Sequence, residues 1–251
     1  MTASEEIPSE AAVAAVITAA GSSSRMGGLK KEYLPLGGEA RDAAGRPLSV
    51  LGAALLAFAA VGRIGMVVIS YPGEGGGGEA AARASLPAGF LEKTVPEIRF
   101  VAGGPSRRDS VYRALALLQS YCPGYVLIHD GARPWVEPEL IRGIIGAAGE
   151  HGAAIPLLPL TETPKETDGK GFITRHLRRA LTGIAQTPQG FAFPAILRAH
   201  EQAARREALE GPIYTDDAEI WGEFCGPVAA IPGSPGNRKI TFPQDMETPA
   251  P

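Results

Sequence analysis

Apolar positions in this chain fall into two kinds of stretch. Short continuous runs of aliphatic and β-branched residues end in Gly- or Pro-containing turns, and longer stretches with helical spacing follow them. The first run, Ala14-Ala15-Val16-Ile17-Thr18, reads as a buried strand. Further strands are expected at 65–71 (GMVVISY), 98–102, 125–129 (YVLIH) and 152–156 (GAAIP). Helical spacing covers 48–61, where Gly62 supplies a stop, a stretch running to about Tyr121, and 137–151. Strand and helix alternate, which argues an α/β fold with a mostly parallel sheet and helices on both faces. The polar stretch 37–47 reads as a surface hairpin or loop. The four glycines Gly75 to Gly78 read as a flexible connector, because no Lys or Ser/Thr follows to complete a phosphate cradle.

The rhythm changes after residue 156. Residues 157–178 are polar with turn signals at Asp168-Gly169 and Gly171, which predicts an extended β arm with its tip near 168–171. An extended segment at 187–191 returns to the body, and 194–209 is helical. Tyr214-Thr215-Asp216-Asp217 then caps a helix at 218–224, a late strand occupies 227–231, and the loop 233–241 leads to a short final strand. The expected organisation is a disordered tail at 1–12, one domain over 13–246 with the arm at 157–178, and a tail at 247–251.

Composition narrows the classes. A length of 251 residues suits one large α/β domain, and 45% hydrophobic residues supply its core. The 32 glycines and 22 prolines predict long or numerous loops. A net charge of −3 recommends no nucleic-acid partner. Cys122 and Cys225 have no metal or redox spacing and read as small buried apolar residues. His129, His151, His176 and His200 are scattered, which suggests neither a zinc site nor a Ser/His/Asp triad. Residues 1–10 carry Glu5, Glu6 and Glu10 without Lys or Arg, unlike a secretory leader. The apolar run over 11–20 is too short to span a bilayer, so a soluble cytoplasmic protein is expected.

Three strand ends carry candidate chemistry. After the first strand, Gly21-Ser22-Ser23-Ser24 lets backbone N–H groups and hydroxyls face a phosphate, and Arg25 and Lys31 bring positive charge. A Walker loop and a dinucleotide fingerprint are both absent. Gly103-Gly104-Pro105-Ser106-Arg107-Arg108-Asp109-Ser110 is a second Gly-rich turn into a helix, with Ser106 or Asp109 as its cap. Asp130 ends the fourth strand beside both loops. It is a natural Mg²⁺ ligand, since that ion takes one or two carboxylates plus substrate phosphate oxygens. The alternatives are an ion pair with Arg133 or a cap on the helix after Pro134.

Together these segments resemble one family, the 2-C-methyl-D-erythritol 4-phosphate cytidylyltransferases. The ordered text is AAG-SSSRM, KKEYLPL, GG-SRRDSV, VLIHDGARP, PLTETPK, QTPQGF, YTDDAE and GSPGNRKIT, spread over about residues 14 to 245. The resemblance implies a Rossmann-like nucleotidyltransferase fold with a protruding β arm that interlocks two subunits in a homodimer. It implies transfer of CMP from CTP to methylerythritol 4-phosphate, with Mg²⁺ as cofactor and pyrophosphate as the second product. By the same resemblance, Ala19, Ala20 and Gly21 line the nucleotide, and Arg25, Lys31 and Lys239 are the catalytic charges. Gly103, Gly104 and Ser110 contact cytosine or ribose, Asp130 holds Mg²⁺, and Gly131 lies beside the nucleotide. Thr163, Thr215, Lys239 and the nearby Arg133 meet the methylerythritol phosphate. Arg179, or its neighbour Arg178, and Thr187 reach the substrate site of the other subunit.

The chain departs from the family pattern in places. Gly236 stands where an acidic residue commonly precedes the Asn of the late loop, Arg238 replaces an apolar residue, and Gly131 stands where Ala is commoner. The 37–47 loop looks longer than usual, and only five residues follow Met246, so the family's usual closing helix is not expected. The competing readings are a cytidylyltransferase for another polyol phosphate, such as ribitol 5-phosphate, and a nucleotide-binding protein without catalysis. The presence of Arg25, Lys31 and Asp130 speaks against the second.

Overall fold

The computed structural model describes residues 12–21, 23, 26–37, 40–73, 75–92, 96–211 and 214–246. Apart from Ala12, both predicted tails lie outside the described residues. The strands are β1 (Val13–Thr18), β2 (Ile64–Tyr71), β3 (Glu97–Ala102), β4 (Tyr125–Asp130), β5 (Ala153–Pro159), β6 (Lys165–Thr167), β7 (Ile173–His176), β8 (Gly183–Ala185), β9 (Gln189–Ala192) and β10 (Ala229–Pro232). The helices are α1 (Val50–Ala59), α2 (Gly78–Ala84), α3 (Arg107–Leu117), α4 (Pro138–His151), α5 (Ala195–Glu210) and α6 (Asp217–Phe224).

Among the described residues the main sheet has eight strands in the order β10-β5-β9-β4-β1-β2-β3, with β8 also paired to β5. β1 pairs in parallel with β2 and β4, and β2 with β3. Both faces of β1, β2 and β4 are covered, which explains why these strands read as largely apolar runs, while the edge strand β3 (EIRFVA) is only partly buried. Val13, Ala15 and Ile17 face α1 and α4 through Leu51, Leu55, Phe58 and Ile144. Ala14 and Val16 face α3, α5 and α6 through Leu115, Ile196 and Trp221. The period-two alternation of β1 therefore divides its side chains between two cores.

The predicted arm is a hairpin of β6 and β7, paired antiparallel. Its tip is closed by the Asp168 carboxylate, which accepts the N–H groups of Lys170 (2.8 Å) and Phe172 (3.1 Å). The arm starts later than 157, because Leu157–Pro159 belong to the main sheet and pair with β8. The 37–47 stretch lies inside a hairpin-like excursion, with antiparallel bridges Pro35–Ser49 and Arg41–Pro47. Asp42 pins the excursion to the body by accepting the Ala88 N–H at 2.9 Å.

Four expectations need correction. The glycine run is more than a connector: Gly77, at φ +72°, caps α2. That helix is Ala-rich and mostly exposed, so it lacks apolar periodicity, and a Glu79–Arg83 pair supports it instead. The extended segment after Thr187 becomes β9, which enters the sheet antiparallel between β4 and β5. No final strand forms among the described residues after Thr241. The Asp245 carboxylate accepts the Thr241 and Phe242 N–H groups (2.7 and 2.8 Å) and turns the chain into a short 3₁₀ segment, Pro243–Met246. Cys122 and Cys225 are exposed, because each stands in the turn that ends a helix.

Candidate active site

The strand register places Thr18 level with Ser70 and Asp130, and Tyr71 level with Ala102. The chain leaves β1 toward β2 and β3, then crosses back to β4 on the other side of β1. Such a switch point opens a crevice beyond the carboxyl ends of the strands. A cavity of about 700 Å³ lies there, within the usual range for a small-molecule site.

The segment after β1 forms one wall, where Ala20, Gly21, Lys30 and Lys31 line the cavity. Ala19 lies just behind it, fully buried, with its carbonyl accepting the Tyr33 hydroxyl at 3.2 Å. Lys30 Nζ donates to the Gly21 carbonyl at 2.7 Å, and Lys31 Nζ lies 3.4 Å from buried Glu32. Arg25, with Ser22 and Ser24, lies outside the described residues.

The second Gly loop, through Gly103, Gly104, Pro105 and Ser106, also lines the cavity. Ser106, rather than Asp109, caps α3, accepting the Asp109 N–H at 3.0 Å. Ser110 Oγ accepts the Gly104 N–H (3.1 Å) and donates to the Ser106 carbonyl (2.9 Å), which sets the loop's curvature. A Cβ on Gly103 would stand 2.3 Å from Ala20 Cβ, so the two loops meet where only glycine fits.

Asp130 lines the same cavity from the end of β4, nearly buried. Lys239 Nζ lies 2.8 Å from its Oδ2, Arg133 Nε 3.7 Å from the same oxygen, and Arg107 Nε 3.6 Å from Oδ1. Burial alone would raise its pKa, but Lys239, Arg107 and Arg133 outweigh it and hold the carboxyl far below its ordinary value. The ion pair with Arg133 foreseen from sequence is thus present, joined by two further cations. Lys30, Lys31, Arg107 and Lys239 all line the cavity. An acidic protein therefore carries a basic cleft, suited to a polyanion.

A buried relay fixes Asp130 from behind. His129 Nε2 lies 3.1 Å from the Arg133 carbonyl, and its Nδ1 3.1 Å from Thr187 Oγ1. Burial pushes the His129 pKa down to about 4, so the ring is neutral. A carbonyl only accepts, so Nε2 carries the proton and Nδ1 accepts from the Thr187 hydroxyl. Thr187 Oγ1 in turn accepts the Asp130 N–H at 3.0 Å. Asn237, fully buried, closes the loop: its Nδ2 donates to the Thr187 carbonyl (2.8 Å), and its own carbonyl accepts from Arg133 Nη1 (2.7 Å).

The structure thus brings Ala20, Gly21, Lys31, Gly103, Gly104, Ser110, Asp130 and Lys239 to one cavity. Ala19, Gly131, Arg133 and Thr187 stand behind its lining; Gly131 N–H donates to the Thr18 carbonyl at 2.9 Å. Thr187 is buried, its hydroxyl committed within its own chain. Thr163, Arg179 and Thr215 do not line the cavity. Thr163 is exposed at the arm base, Arg179 donates to the Thr161 carbonyl at 2.8 Å, and Thr215 bonds Glu219. Lys30, Arg107, His129 and Asn237 were not singled out from sequence. Only the doubled Lys30-Lys31 and Arg107-Arg108 pairs hinted at the first two.

The sequence pattern of the family described as 2-C-methyl-D-erythritol 4-phosphate cytidylyltransferase matches residues 13–250. A relative of that name from Pelotomaculum thermopropionicum is 37% identical over 236 residues, covering 93% of this chain and 91% of that protein. A bifunctional enzyme IspD/IspF from Mesorhizobium japonicum is 35% identical over 248 residues, 97% of this chain but 56% of the relative. The chain thus spans about half the length of the bifunctional curated relatives it matches. The crystal structure of a 4-diphosphocytidyl-2C-methyl-D-erythritol synthase from Anaerococcus prevotii superposes with a TM-score of 0.76 at 27% identity, covering 94% of this chain and 95% of that one. Sequence pattern, relatives and fold agree: the chain belongs to the 2-C-methyl-D-erythritol 4-phosphate cytidylyltransferase family.

Proposed function

We propose that this chain transfers the cytidylyl group of CTP to the phosphate of 2-C-methyl-D-erythritol 4-phosphate, in isoprenoid biosynthesis. A phosphate oxygen of the acceptor attacks the α-phosphorus of CTP, the bond to the β-phosphate breaks, and pyrophosphate leaves. The observation that carries this reading is the Lys239–Asp130 pair at 2.8 Å in a basic cleft that two Gly-rich loops also line. The acceptor oxygen is already anionic, so no strong general base is needed. The task is to bring two anions together and neutralise charge on the α-phosphate and the departing pyrophosphate. Lys31 and Lys239 supply positive charge to the cavity they both line, and Arg25 is assigned to the same work from its place in the motif. Gly103, Gly104 and Ser110 present backbone and hydroxyl groups to the cytidine.

Mg²⁺ is the cofactor in this reading. Among the described residues no cluster of three or more His, Cys, Asp or Glu could form an all-protein cage. Asp130 lines the cavity and its Oδ1, with Arg107 no closer than 3.6 Å, has no hydrogen bond among the described residues, so this single carboxylate fits an ion that takes most of its ligands from phosphate and water. When bound there, Mg²⁺ would screen the repulsion between the two substrates. A homodimer completes the reading. The arm and the segment after it expose Phe172 (72%), Ile173 (53%) and Leu181 (78%), a covering that a second copy would supply. Arg179, which does not line its own cavity, then serves the neighbour. A cytoplasmic setting suits two exposed free cysteines. Among the described residues no helix is long and apolar enough to cross a membrane.

The test is pyrophosphate release with CTP and Mg²⁺, offering methylerythritol 4-phosphate and ribitol 5-phosphate in parallel. Turnover with the first alone, abolished by EDTA and lowered on the order of a hundredfold by Lys239→Met, is expected. Turnover with ribitol 5-phosphate alone would refute the assignment and make Gly236 the mark of a different acceptor.

A further inference from the structure

Arg107 lines the cavity and stands between two carboxylates. Its Nη2 donates to Asp217 Oδ2 at 2.7 Å, while its Nε faces Asp130 Oδ1 at 3.6 Å. Asp217, the first residue of α6, is fully buried, and its other oxygen lies 3.2 Å from Nε2 of His200 on α5, also fully buried. A buried carboxylate is retained only when paired, and here the pairing fastens the guanidinium by its far edge. The neighbouring Arg108 turns away from the cavity onto Glu207 and Asp109. Lys239 pairs with Asp130 Oδ2 at 2.8 Å and Arg107 faces Oδ1 at 3.6 Å, so the two cations bias the carboxylate from different oxygens. The TDDA segment, read from sequence as a helix cap with Thr215 toward the acceptor phosphate, divides its two aspartates between tasks. Asp216 caps α6 by accepting the Glu219 N–H at 2.9 Å, and Asp217 points inward to Arg107.

We propose that Arg107 is a positioning residue for Asp130, and that the buried Asp217–His200 pair sets Arg107. This rests on the cytidylyltransferase reading for its kinetic consequence, and on geometry alone for its structural one. Arg107→Gln, Asp217→Asn, their double variant and Arg108→Gln are compared by pyrophosphate release, CTP binding, thermal melting and crystal structure. Arg107→Gln is expected to lower kcat roughly 10- to 100-fold, the penalty of misplacing a reacting group by about an ångström. The KM for CTP should change less than about threefold, because a positioning loss falls on the transition state. The double variant should turn over no more slowly than Arg107→Gln alone, since Asp217 reaches the reaction only through Arg107. Arg108→Gln should lower the melting temperature and leave kcat within about twofold. Multiplicative losses in the double variant, or equal kcat losses for Arg108→Gln and Arg107→Gln, would overturn the proposal, since either is the mark of general loosening around α3. If Asp217→Asn fails to fold, Arg107→Gln, whose side chain is about one-third exposed, still decides. If the unaltered chain turns over neither acceptor, the functional reading fails. The crystal structure of Arg107→Gln then judges this proposal separately: a turned Asp130 carboxylate supports it, and an unmoved one refutes it.

Discussion

Replacing Thr187 with Val keeps the side chain's shape and removes only its hydroxyl. That hydroxyl accepts the Asp130 N–H at 3.0 Å and faces His129 Nδ1 at 3.1 Å, both in the buried interior. The variant therefore leaves one donor and one acceptor unsatisfied, each costing about 1–3 kcal/mol, so a total of roughly 2–6 kcal/mol is expected. Against a typical total of about 5–15 kcal/mol, this is a large fraction of the protein's stability. Thr187→Ser is the control, keeping the hydroxyl and losing one methyl group for about 1 kcal/mol. Urea denaturation followed by circular dichroism, at one protein concentration, reads the difference as a shift in midpoint at constant slope. If Thr187→Val unfolds at the same urea concentration as Thr187→Ser, the relay is not holding Asp130. If it also loses activity at unchanged stability, Thr187 acts on substrate, as the family resemblance implies.

Three further outcomes follow from the same geometry. His129 has its pKa pushed down to about 4 by burial, so between pH 6.5 and 4 the unfolded chain takes up a proton that the folded chain refuses. Stability should fall by about 3 kcal/mol across that window and then level off, and His129→Gln should erase this part of the profile in pH-dependent urea melts. Gly190→Ala places a Cβ 2.6 Å from Ile144 Cγ2, so overpacking between β9 and α4 should cost about 1–3 kcal/mol in thermal melting; an unchanged melting temperature would contradict the close approach. Phe172→Asp with Leu181→Asp should convert a dimer into a folded monomer by sedimentation velocity, and an unaltered chain that sediments as a monomer would refute the arm's role.

The parallel block was legible because periodicity and turn chemistry agree at each element. The strands β1, β2 and β4 end at Thr18, Tyr71 and Asp130, close to where their apolar runs break in the sequence. The Gly loops after β1 and β3 announced themselves by composition, and the structure brings them together at Gly103 and Ala20. By contrast α2 escaped notice because solvent covers most of it, and helical spacing is visible only where a face is buried.

Local pattern thus determined the alternation of strand and helix, the hairpin at 168–171, the helix caps and the residue types able to meet phosphate. Long-range packing decided the rest. β9 enters between β4 and β5 because Gly190 leaves room for Ile144 and Ala148 of α4, a condition set by a helix some forty residues earlier. Asp130 draws its partners from α3 and the late loop, and Thr187 joins His129 across 58 positions of sequence. No local spacing encodes such meetings. Burial enforces them, since a charge or hydroxyl removed from water must find its counterpart wherever the fold brings one.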